Sequence, residues 1–215
     1  MVLAAPLSQQ VYDTLLNKLL NNELVSGQIL NRRQVAADLG VSVAPVLEAM
    51  LKLETHGFLE SIPRKGTQVR PITPEDVHGL LVLREALECH AARLYCGEAI
   101  ETNEAALLIL ADKLDNSPPF VPEHWREDLN FHYALIEITE VGALIEEYHH
   151  VIHLNIFHAV NRLVGRNDQT DPSNHRELVL KLKTRDPDEA ERIIRAHVRS
   201  GKGRLYLMGG LDRGE

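Results

Sequence analysis

The run Thr73-Pro74-Glu75-Asp76 restricts most what this chain can fold into. Threonine can cap a helix, proline fits the first helical position, and an acid three residues on completes the cap. A long helix must start here. The run therefore divides the chain into residues 1–72 and 73–215, which follow different rules. In the first part, Ser8 is placed to cap a helix to about Asn22, with Val11, Leu15, Leu19 and Leu20 on one face. "SGQIL" breaks it. A short helix over 32–39 is expected next, closed by Gly40, followed by a third from Ser42 to about His56. "FLESI", "PRKG" and "TQVRP" then read as two strands about a Pro/Gly turn. Three helices and a hairpin make a winged helix-turn-helix, which docks on duplex DNA through its third helix.

The second part reads as helix throughout. Apolar periodicity predicts six helices, roughly 74–97, 102–114, 122–139, 142–164, 172–184 and 187–208. Asp171-Pro172 and Asp186-Pro187 repeat the cap-plus-proline start. Aromatic residues make up only 5% of the chain and strand-type alternation is scarce, which favours an all-α bundle. The fold class is thus mainly α: a winged helix-turn-helix followed by an antiparallel helical bundle.

Charge is divided along the same line. The net charge is -8, but residues 1–72 carry +1 and the remainder -9. A nucleic-acid contact belongs to the first part. No apolar run approaches the roughly 20 residues of a membrane span, and "MVLAAPLSQQ" lacks the features of a secretory signal. Cys89 and Cys96 lie seven apart on one expected helix, about 10 Å of rise, which excludes a disulfide between them. Free thiols suit a reducing cytoplasm, the expected location.

Chemistry gathers on the apolar faces of the second part. Asp128 and His132 stand four apart and project from one face, shared with Trp125, Leu135 and Ile136. His175 shares a face with Leu178, Val179 and Leu182; His197 with Ala190, Ile193, Ile194 and Val198. Burying four such groups unpaired would cost several kcal/mol. One divalent cation held by all four would satisfy them, and three imidazoles with one carboxylate suit Zn²⁺ or Ni²⁺. The alternative is four core polar groups bonded to protein neighbours. A second histidine cluster, His149, His150, His153 and His158, reads as a polar or half-buried helix face, with a supporting or ligand-contact role open to one of them. Arg84 falls on the buried stripe of its helix between Leu80 and Leu87 and needs an anion. Glu88, one turn on, is one candidate; a bound carboxylate is the other.

With these features in place, the chain resembles the GntR family of bacterial transcription regulators, in the branch with an all-helical FCD effector domain. "LNRRQVAADLGVSVAPVLEAMLKLETHGFLESIPRKGTQV" follows that family's DNA-binding domain, and "LREALECHAARL" the opening of its effector domain. "DLNFHYAL", "NHREL" and "RDPDEAERIIRAHV" are similar to its metal-bearing segments. The resemblance implies Asp128, His132, His175 and His197 as metal ligands, with a pocket beside them where Arg84 meets a small organic acid. It also implies DNA contacts from Arg33, from Ser42 and the neighbouring backbone N–H groups, and from the wing turn at Arg64, Lys65 and Gly66.

One departure stands out. The family usually carries arginine where this chain has Val43 and Leu47, and a polar residue where it has Leu51. These three form an apolar stripe on the face expected to meet DNA. DNA binding weaker or differently specified than is usual is expected, with thymine methyls as one thing Val43 and Leu47 could touch. A protein-docking role for the stripe is the other possibility.

The expected function is a ligand-responsive, DNA-binding repressor-type regulator: a cytoplasmic homodimer reading a palindromic operator, not an enzyme and not at a membrane. The competing reading is a metal-dependent enzyme with a vestigial DNA-binding domain. No nucleophile motif or general base beside the four ligands supports it.

Overall fold

The computed structural model describes residues 5–118, 122–162 and 174–200. Two compact units result, one built on residues up to Ile72 and the other beginning at Thr73.

In the first unit, α1 (Leu7–Leu20) buries Val11, Tyr12, Leu15, Leu16, Leu19 and Leu20. It packs on α3 (Val43–Thr55), whose Val46, Ala49, Met50 and Leu53 face inward. The Tyr12 hydroxyl bonds His56 Nδ1 at 2.7 Å and pins the end of α3 to α1. Ser8 does not cap α1; Pro6 occupies the cap position, and no side-chain cap bond forms. Between them, α2 (Arg32–Leu39) starts under Asn31, whose side chain accepts from the Arg33 and Gln34 N–H groups at 2.9 and 3.3 Å. It stops at Gly40, which adopts the left-handed conformation (φ 65°) that glycine tolerates best.

The hairpin forms from β2 (Leu59–Ile62) and β3 (Gly66–Val69), with Pro63, Arg64 and Lys65 in the turn. A third strand, β1 (Ile29–Leu30), joins the other edge of β3, giving the antiparallel order β1-β3-β2. "SGQIL" therefore ends one helix and also begins a sheet. Two residues are too few for alternation to show in sequence.

The second unit opens with α4 (Pro74–Tyr95). The capping box forms: Thr73 Oγ1 accepts from the Asp76 N–H while Asp76 takes the Thr73 N–H. Next comes α5 (Glu98–Asp115), four residues earlier than expected, because Gly97 with φ 75° turns the chain straight from one helix into the next. Then follow α6 (Pro122–Glu137), α7 (Gly142–Arg162), α8 (His175–Lys181) and α9 (Pro187–Arg199). Asp171 and Pro172 lie outside the described residues; α8 is capped instead by Asn174, whose side chain accepts from the Glu177 N–H. Asp186-Pro187 starts α9 as read. α4 packs against both α9 and α6, and α5 against α8 and α6. That arrangement sets the inner faces of α4, α6, α8 and α9 around one point.

Candidate metal centre

Asp128 and His132 on α6, His175 at the start of α8 and His197 near the end of α9 converge there. The ring nitrogens of the three histidines lie within 4.8 Å of one another. His132 Nε2 faces His197 Nε2 at 3.2 Å. Asp128 Oδ1 is 3.4 Å from His175 Nε2 and 3.8 Å from His132 Nε2. Ligands of a tetrahedral ion at 2.0–2.1 Å stand roughly 3.4 Å apart. The His132–His197 and Asp128–His175 separations are close to that value, and the donor set fits a borderline divalent cation.

The protonation pattern fits as well. His132 Nδ1 lies 2.7 Å from Glu88 Oε2. Burial alone would raise the Glu88 carboxyl, but Arg84 and His132 beside it hold it well below the ordinary carboxylate range. The charge of an ionised Glu88 favours the proton on the His132 nitrogen facing it, though the two atoms are not aligned as a regular hydrogen bond. Burial keeps His132 neutral against the pull of Glu88. Its Nε2 lone pair therefore points into the cluster. His175 Nδ1 is likewise 2.6 Å from Asp115 Oδ1, and Asp115 also accepts the backbone N–H groups of His175 and Arg176. This carboxylate–imidazole–centre order orients metal-ligating histidines. Burial, with His132 and His175 as neighbours, pushes His197 down to about 2.

Arg84 is 2% exposed. Its Nε donates to Glu88 Oε1 at 2.5 Å, and its Nη1 lies 3.5 Å from Asp128 Oδ2. Glu88 is thus the protein partner that the i,i+4 spacing offered. Nη2 is buried with no hydrogen-bond partner among the described residues. Tyr148 on α7 completes the group by donating its hydroxyl to Glu88 Oε1 at 2.5 Å. Burial and the Glu88 charge raise the Tyr148 pKa well above normal, so it remains a donor.

Sequence reasoning missed what Asp115 and Tyr148 do. Asp115 is 60 residues from His175 and ends an unremarkable helix, so no local pattern marks it. The rival histidines do not form a centre of this kind among the described residues. His149 and His153 stack edge to face with centroids 4.2 Å apart on an exposed to half-buried stretch of α7. The Trp125 side chain lies outside what is described.

In the first unit, Ser42 occupies the α3 cap position, but its hydroxyl makes no cap bond, contrary to the capping role expected of it. Val43 and Leu51 are exposed and Leu47 half-buried. Arg33 is exposed on the first turn of α2; Arg64, Lys65 and Gly66 are exposed at the hairpin turn, Arg64 in the left-handed region (φ 66°).

Comparison with known proteins agrees with this layout. The family described as "Bacterial regulatory proteins, gntR family" matches residues 7–69, and "FCD domain" matches 79–200. The chain belongs to the GntR family, in its FCD branch. This GntR-family chain is similar to the uncharacterized HTH-type transcriptional regulator YdhC of Bacillus subtilis, 28% identical over 199 residues, covering 89% of this chain and 88% of that one. It is 24% identical over 208 residues to the HTH-type transcriptional repressor RspR of Escherichia coli, covering 90% and 86%. The solved structure of E. coli McbR/YncC shares its fold, with a TM-score of 0.69 and 22% identity over 95% of this chain and 99% of that one. Its family makes the chain a DNA-binding transcription regulator rather than an enzyme.

Proposed function

We propose that this regulator is metal-dependent and responds to a small organic acid. Asp128, His132, His175 and His197 would hold a divalent cation, Zn²⁺ or Ni²⁺ by donor type. The observation that carries this is the convergence of three imidazoles, with Asp128 Oδ1 3.4 Å from His175 Nε2 and with the Glu88 and Asp115 carboxylates beside the outer nitrogens of His132 and His175. The cation, when bound, supplies a Lewis-acidic point for an anionic ligand. The Arg84 Nη2, which has no hydrogen-bond partner among the described residues, would be the second hold for that ligand's carboxylate.

Binding would bias the regulator, a homodimer reading a two-fold operator, between states of different operator affinity. Coupling of this kind typically amounts to 5–150-fold. The name of RspR favours repression as the outcome.

The test is elemental analysis of the purified full-length protein and of its Asp128→Ala and His197→Ala variants, after loading with Zn²⁺ or Ni²⁺. About one ion per chain in the parent and loss in both variants is expected. A parent that takes up no metal overturns the proposal. Reversal of duplex binding by simple carboxylic acids, lost in Arg84→Ala, is the expected effector result.

A further inference from the structure

The apolar stripe on α3 points to a second property, which rests on the DNA-binding function of the family. Val43, Leu47 and Leu51 follow one another at four-residue intervals. Val43 remains 43% exposed and Leu51 50%. The neighbouring face of α3 holds the core through Val46, Ala49, Met50 and Leu53; of the stripe only Leu47 is half-buried against it, and Val43 and Leu51 stay exposed. Apolar residues would sit poorly on a phosphate-tracking helix unless they meet apolar surface in the groove.

The cations lie around this stripe in sequence, not on it. Arg33, Arg64 and Lys65 are exposed, and none of their side chains enters an ion pair among the described residues. Arg32 and Lys52, by contrast, are occupied, on Thr67 Oγ1 and Gln9 Oε1. At the start of α3 the Ser42 hydroxyl makes no cap bond, and its first-turn N–H groups suit a phosphate. These three exposed cations, in no ion pair among the described residues, and a helix start can hold a duplex backbone. No cation on the first two turns of α3 is available to read guanine, the usual role of arginine in the major groove. The apolar group displayed in that groove is the thymine C5-methyl.

We infer that Val43 and Leu47 are specificity-determining residues that read thymine methyls, so that the operator half-sites are A·T-rich where α3 enters. Each methyl removed from water by such a contact is worth about 0.8 kcal/mol, a factor of about four.

The test begins with selection from a random-core duplex library by the full-length protein at low salt. The selected duplex is then remade with deoxyuridine for thymine, which removes only the methyl. A·T enrichment in the half-sites and a loss of about four-fold per contacted methyl are expected. In Val43→Ala and Leu47→Ala the thymine and deoxyuridine duplexes should bind more nearly alike. Selected duplexes that bind equally well with deoxyuridine, or half-sites rich in G·C, overturn the inference and leave the DNA-binding function intact. Failure to select any duplex overturns both.

Discussion

At the scale of single residues, the bundle centre depends on which nitrogen of each imidazole is committed. Glu88 and Asp115 fix that for His132 and His175. Replacing such a supporting carboxylate typically costs 10–100-fold in metal affinity. Asp115→Asn should therefore weaken binding by about that factor in a chelator-competition titration, while leaving Arg84 and Glu88 in place. Acidity acts in a stated direction. His132 and His197 both have pKa values lowered by burial, His197 to about 2. The unfolded chain takes up protons below about 6.5 and the folded bundle does not. Stability of the metal-free protein is thus full above about pH 7 and should fall as pH drops through 6.5 and below. Each such histidine contributes at most about 1.4 kcal/mol per pH unit. Urea unfolding in the presence of a chelator at pH 7.5, 6.5 and 5.5 measures it; stability unchanged or rising on acidification would contradict it. The four centre residues were legible because each interrupts an apolar stripe. Asp115 was not, since its effect depends on a contact across 60 residues that no periodicity encodes.

At the scale of elements, caps that look alike differ in what they hold. Thr73 closes a full capping box, whereas the Ser42 hydroxyl makes no cap bond. Thr73→Ala should cost about 1 kcal/mol in the midpoint of urea unfolding, and Ser42→Ala only a few tenths. Gly97 turns α4 into α5 with φ 75°, and a Cβ there would meet the Arg185 Cγ at 3.1 Å. Gly97→Ala should therefore destabilise by roughly 1–3 kcal/mol. Circular dichroism melts of the variant check this. The long helices and the hairpin were readable from periodicity and turn chemistry. The short strand Ile29–Leu30 and the early start of α5 were not. Both are settled by neighbours distant in sequence: Thr67 and Gln68 for the strand, and Leu182, whose carbonyl takes the Gly97 N–H, for the turn.

At the scale of the whole chain, a net charge of -8 opposes binding to a polyanion, and only the first 72 residues are balanced toward the positive side. Duplex binding should fall steeply with salt, by about 0.9 in log–log slope for each phosphate contact. Arg64→Ala and Lys65→Ala should each flatten that slope by about 0.9, as read by fluorescence anisotropy across a salt series. Loading the bundle with metal at 100 times its dissociation constant should add about 2.7 kcal/mol to the unfolding free energy. The division into two parts followed from the helix start at Thr73 and from charge; the sharing of one acid between Arg84 and His132 did not. Glu88 touches both the Arg84 guanidinium and the His132 imidazole, and Tyr148 anchors it to a third helix. Two inputs hang from one peg. If Arg84 holds an acid and His132 an ion, as proposed, a change at Arg84 disturbs the hold on the ion as well, so changes at the two positions are expected to travel together.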